Sequence, residues 1–67
     1  MCKFQALRVA TEELNKLGCK YINHTLNDGE MKIKYTHYYG SEEEMIIRYR
    51  YFTNERLIAK IIMEVMD

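Results

Sequence analysis

Four residues near the middle of the chain, Asn27-Asp28-Gly29-Glu30, constrain its fold more than any others. An Asp-Gly pair between two alternating stretches is the signal of a two-residue hairpin turn of type I′, in which both central residues need positive φ. With Asp28 and Gly29 at those positions, Asn27 pairs with Glu30 and the register of the hairpin follows. Leu26 then faces Met31, His24 faces Ile33 and Ile22 faces Tyr35 on one side, while Thr25 with Lys32, Asn23 with Lys34 and Tyr21 with Thr36 gather on the other. Turn chemistry alone sets this register, yet it sorts apolar from polar side chains, and a slip of one residue would scramble both faces.

The remaining elements can be placed around the hairpin. The chain has no proline, and its three glycines, Gly18, Gly29 and Gly40, divide it into four pieces. In the first, Phe4, Leu7, Ala10, Leu14 and Leu17 recur at helical spacing, with Lys16 in the last turn and Gly18 where a left-handed terminating residue is wanted. This predicts a helix over 3–17. The hairpin strands are expected over 20–27 and 30–39. A third strand over 44–52 turns Met45, Ile47, Tyr49 and Tyr51 to the apolar side and Ile46, Arg48, Arg50 and Phe52 to the other. The last piece opens with Thr53 or Asn54 as N-cap and Glu55 in the first turn. It continues with Leu57, Ile58, Ile61, Ile62 and Val65 on one face of a helix over 54–66. The order α-β-β-β-α, with two apolar helical stripes and one apolar sheet face, predicts an α+β fold. It is a two-layer arrangement in which two helices pack on one face of a three-stranded antiparallel meander.

A chain of 67 residues holds one modest core, so residues 1–67 are read as a single domain whose function sits on its surface. Ten basic and ten acidic side chains cancel, which leaves no overall field to draw the chain to nucleic acid or an anionic membrane. No apolar run approaches the roughly 18 to 20 residues that span a bilayer, and Met1-Cys2-Lys3-Phe4 lacks the apolar stretch of a signal peptide. No membrane contact and a cytoplasmic location are therefore expected. Cys2 and Cys19 lie at opposite ends of the first helix, about 25 Å apart at 1.5 Å per residue, and are expected as free thiols.

The open sheet face carries the candidate site. Lys32 and Lys34 would lie beside Arg48 and Arg50, with Tyr21, Tyr38 and Phe52 around them. In this register Lys34 stands directly opposite an arginine, an arrangement that destabilises a sheet unless an anionic partner neutralises it. Cations interleaved with aromatic rings on an open sheet are also the physics of single-stranded nucleic-acid platforms. The same lysines and arginines could instead be solvated covers over apolar sheet surface. The acids concentrate elsewhere, in Glu12-Glu13, Glu42-Glu43-Glu44, Glu64 and Asp67, with the Glu42 to Glu44 run expected in a loop.

A catalytic role is not expected. Cys19 and His37 would approach one another at a sheet edge, but without an orienting third group and in a chain too small for an ordinary ligand pocket. His24 and His37 are about 13 Å out of register, so no metal and no cofactor is expected. The linear order resembles that of the double-stranded-RNA-binding domain. The turn opening the last helix, however, reads Thr53-Asn54-Glu55-Arg56-Leu57 rather than the lysine-rich start of that family. Ile61-Ile62-Met63-Glu64-Val65-Met66 likewise replaces its alanine-rich helix, so none of that family's functional residues carries over.

These features lead to the expectation of a small non-catalytic protein that binds a larger protein or protein–nucleic acid complex through the cationic-aromatic face. One such role is inhibition of a nucleic-acid-processing enzyme in the manner of phage anti-CRISPR proteins. Direct nucleic-acid binding by the same face is the alternative. The exposed Met63 and Met66 end of the last helix is a second contact region, and a homodimer stays open.

Overall fold

The two glycines that close the first helix and the hairpin set the frame of the computed structural model, which describes residues 1–66. Helix α1 spans Lys3–Lys16 and ends where Gly18 takes φ 83°. The N–H of Cys19 donates to the Leu14 carbonyl at 2.9 Å and that of Gly18 to the Asn15 carbonyl at 3.1 Å. These are the two bonds of a Schellman motif, which satisfies carbonyls that the helix end leaves open. Strands β1 (Lys20–Asn27), β2 (Glu30–Thr36) and β3 (Glu42–Ile47) form an antiparallel sheet in that order. A single 3₁₀ turn at Tyr49–Tyr51 leads to helix α2, Asn54–Met66, whose N-cap is Thr53, its hydroxyl accepting from the Arg56 N–H at 3.3 Å. The architecture is the expected α+β order α-β-β-β-α.

The core lies between the two helices and one face of the sheet. Ala6, Ala10 and Leu14 of α1 meet Leu57, Ile61 and Val65 of α2 over Met31, Ile33, Tyr35, Met45 and Ile47. Each helix repeats its buried residues every fourth position, which keeps them on one stripe. The two alanines let α1 approach closely, while Phe4, expected in the stripe, is 66% exposed. Gln5 donates to Asn54 Oδ1 at 3.0 Å, so both helices start at the hairpin-tip end. They finish together at the opposite end, where Gly18 abuts Tyr38 and the Val65 carbonyl accepts from His37 Nε2 at 2.8 Å. Among the described residues no helix is long and apolar enough to cross a membrane.

The hairpin register follows the turn as expected from Asn27↔Glu30 to Asn23↔Lys34, and then departs. Ile22 is an extra residue at a β-bulge, so Tyr21 pairs with Tyr35 and Lys20 with Thr36. The extra residue reverses the alternation. Tyr21 therefore turns to the helix side, where its hydroxyl contacts His24 Nδ1. The turn is also not type I′. Gly29 alone has positive φ, at 80°, and Asp28 does not, the sign pattern of a type II turn.

Both other strand ends differ from expectation. β2 stops at Thr36 rather than residue 39, because His37 begins a turn closed by its N–H to the Ser41 carbonyl at 2.7 Å and by the Gly40 N–H to the His37 carbonyl at 2.7 Å. β3 therefore starts earlier, and Glu42, Glu43 and Glu44 pair with Thr36, Tyr35 and Lys34 instead of forming a loop. It also ends earlier, since Ile47 already faces Met31 and β2 has only Glu30 left before the hairpin turn. Without a strand to pair with, Arg48 to Phe52 leave the sheet. Tyr49 is buried all the same, 4% exposed, and its hydroxyl accepts from the Gly29 N–H at 3.3 Å.

Candidate functional site

The residues expected to share one basic face are dispersed. Lys32 and Lys34 do lie on the open side of β2, but Lys34 is directly opposite Glu44 and Lys32 opposite Ile46. Arg48 and Arg50 lie beyond the end of β3, and the Arg50 guanidinium pairs with the Asp28 carboxylate at the hairpin tip. Phe52, expected on the open face, is half-buried against the core, and Tyr51, expected inside, is 81% exposed. Tyr21 is on the helix side, and Tyr38 stands in the turn after β2. The physical reason is one register. Running β2 three residues too far shifted β3 so that Lys34 met an arginine, whereas the turn at His37 brings it to Glu44.

The open face is consequently charge-matched. Lys32 Nζ is 3.9 Å from Glu44 Oε1, Lys34 is the cross-strand partner of Glu44, and Ile46 stands among them half exposed at 51%. Exposed pairs of this kind contribute little to stability individually. They do remove the unneutralised positive field that phosphate binding needs. Reversing Lys34 to glutamate creates a like-charge opposition with Glu44 and is expected to cost about 0.2–1 kcal/mol, read as a lower unfolding midpoint. A gain in stability would mean that Lys34 faces an arginine after all.

A different group of side chains converges at the far end of the molecule, where β2, the His37–Ser41 turn, β3 and the end of α2 meet. An open depression of about 370 Å³ there is lined by Tyr35, His37, Tyr39, Glu43, Glu64 and Met66, among others. A chain of this size was expected to have no cleft in that range of volumes. His37 is pinned from two sides. Its Nδ1 accepts from the Tyr39 N–H at 3.2 Å and its Nε2 donates to the Val65 carbonyl at 2.8 Å, which engages both ring nitrogens. Its ring is 4.0 Å from that of Tyr38 and stacked at 5.1 Å on Tyr39, centroid to centroid. Held in this way, Tyr39 is 83% exposed, with Met63 at 67% and Met66 at 59%.

Cys19 is buried and His37 is engaged with Val65, so the expected thiol–imidazole approach does not assemble into a hydrogen-bonded pair among the described residues. Both cysteines are free thiols, Cys2 exposed and Cys19 buried. Among the described residues no group of three or more histidines, cysteines and carboxylates is placed to hold a metal ion. The Met63 and Met66 end had been singled out in the sequence. Tyr39 had not, because reading residues 30–39 as one strand hid the turn that projects it. The signal available was Gly40 immediately after two tyrosines. In comparisons with known proteins, no family model, curated protein or solved structure matches the chain.

Proposed function

We propose that the chain is a non-catalytic binding domain that acts through protein–protein contact at the end formed by the His37–Ser41 turn and the last turns of α2. The observation that carries this reading is the set of large side chains left outside the core at that end, Tyr39, Met63 and Met66, with the acids Glu43 and Glu64. A small domain gains stability by burying such groups, and exposed apolar clusters rimmed by charge are typical of protein interfaces. Aromatic residues and methionine are enriched in interface cores. The acids favour a partner with a basic surface. Such surfaces occur where nucleic-acid-processing enzymes grip phosphate, and a small domain covering one with its acidic end would inhibit the enzyme.

Nucleic-acid binding by the sheet face is the weaker reading, since the lysines there are matched by Glu44 and net charge is zero. The two readings separate in a capture experiment with the immobilised chain. Under the protein reading, a specific protein is retained after nuclease treatment and by the Lys32→Glu, Lys34→Glu double variant, and it binds again when purified. Retention that disappears with nuclease or with the charge reversal would instead support nucleic-acid binding.

A further inference from the structure

We propose that the depression between the His37–Ser41 turn and the end of α2 is a receptor site for one arginine side chain of the protein partner; this rests on the protein-binding reading for the source of the arginine, but not for the chemistry of the pocket.

Three independent features point to a guanidinium. The first is on the floor. Tyr35 is only 3% exposed and lines the depression, yet its hydroxyl makes no hydrogen bond among the described residues, whereas no sealed side-chain nitrogen or oxygen there lacks a partner. The hydroxyl is therefore open to solvent rather than sealed, and in a residue that lines the depression it is available to a bound donor. Burial holds it above the ordinary tyrosine range, and the nearby Cys19, Glu43 and Glu64 add to the effect. It stays a neutral hydroxyl whose oxygen can accept from an N–H donor.

The second feature is the rim. Glu43 Oε2 accepts from the Ser41 hydroxyl at 3.1 Å and Glu64 Oε1 from Lys60 at 2.7 Å, so each carboxylate keeps one oxygen without a donor among the described residues. The Lys60 pair is an exposed i,i+4 contact, a kind easily exchanged for a better-placed donor. The third is the wall. His37 is hydrogen-bonded through both ring nitrogens and stacked on Tyr39, which leaves a broad aromatic surface. A planar guanidinium stacks on aromatic faces while its edge donates to several acceptors at once, and a lysine ammonium cannot do both. About 370 Å³ is at the small end of ligand-site volumes, suited to one long side chain.

The test is a two-dimensional NMR titration of the labelled chain with Nα-acetyl-arginine N-methylamide and with its citrulline counterpart, which has the same length but a neutral head. The arginine compound is expected to give saturable shifts at Tyr35, Tyr39, Glu43 and Glu64, with a dissociation constant on the order of millimolar, about what one side chain supplies. Citrulline should bind at least about fivefold more weakly. Glu43→Gln with Glu64→Gln, in a chain whose remaining spectrum is unchanged, should weaken arginine binding by about fivefold or more and leave citrulline as it was. Tyr35→Phe, which keeps the ring in the core, should weaken arginine binding as well. Equal binding of the two compounds, or arginine binding indifferent to the glutamate changes, would overturn the proposal. Arginine binding without any captured protein would defeat the protein reading and leave the pocket standing. A captured protein indifferent to Glu43→Gln and Glu64→Gln would leave the protein reading standing and overturn the assignment of the arginine to that partner.

Discussion

Replacing Ile61 with alanine is expected to lower the unfolding free energy by about 2–4 kcal/mol, the range for removing a large aliphatic side chain from a closed core. Ile61 is fully buried on α2, one turn from Leu57 on one side and from Val65 on the other. It belongs to one core cluster with buried residues of α1, β2 and β3, so the space it leaves is not filled by moving one element. A domain of this length has roughly 3–10 kcal/mol in total at typical values per residue. The substitution should therefore bring it close to unfolding at ambient temperature. A fall in the urea midpoint at constant slope is the measurement, with Ile62→Ala, on the half-exposed side of the same helix, as the control expected to cost less than about 1 kcal/mol. Equal effects at the two positions would show that α2 packs on a different face.

The second large effect concerns binding. Tyr39→Ala combined with Met66→Ser is expected to reduce affinity for the captured partner by at least about tenfold, equivalent to 1.4 kcal/mol, since truncating a central aromatic anchor commonly costs more than 1 kcal/mol. Stability should change little, because Tyr39 and Met66 are mostly outside the core at 83% and 59% exposure. Lys34→Glu should do the opposite, costing some stability while leaving affinity within about threefold. An affinity loss for Lys34→Glu comparable with that for Tyr39→Ala would return the interaction to the sheet.

Local chemistry written into single residues was legible from the sequence. Gly18 marked the end of α1, Asp28-Gly29 placed the hairpin and its pairing, and the recurrence of Leu57, Ile61 and Val65 marked the buried stripe of α2. What was not legible depended on where a partner strand stops. Arg48-Tyr49-Arg50-Tyr51 alternates as a strand should, but only Glu30 of β2 remains beyond the last pair. Thr36-His37-Tyr38-Tyr39 is rich in residues that favour strands, yet the chain turns at His37 to satisfy hydrogen bonds with Ser41 and Val65. The bulge at Ile22 left no mark in the alternation.

The site moved for the same reason. A register that set Lys34 against an arginine implied a cost in stability. Glu44, at the end of the run Glu42-Glu43-Glu44, offered the complementary partner for Lys34 that the sheet adopts. A run of three acids after Gly40-Ser41 reads as a solvated loop, whereas the turn at His37 places all three in the strand, with Glu44 opposite Lys34.

The most direct measurement of where the molecule works is a backbone amide shift map of the isotope-labelled chain on addition of its purified partner. Residues 37–43 and 62–66 should shift or broaden as one contiguous surface, while Thr25, Lys32, Lys34 and Ile46 on the open sheet face stay in place. Perturbation centred on those four sheet residues, with the His37–Ser41 turn unaffected, would contradict the account.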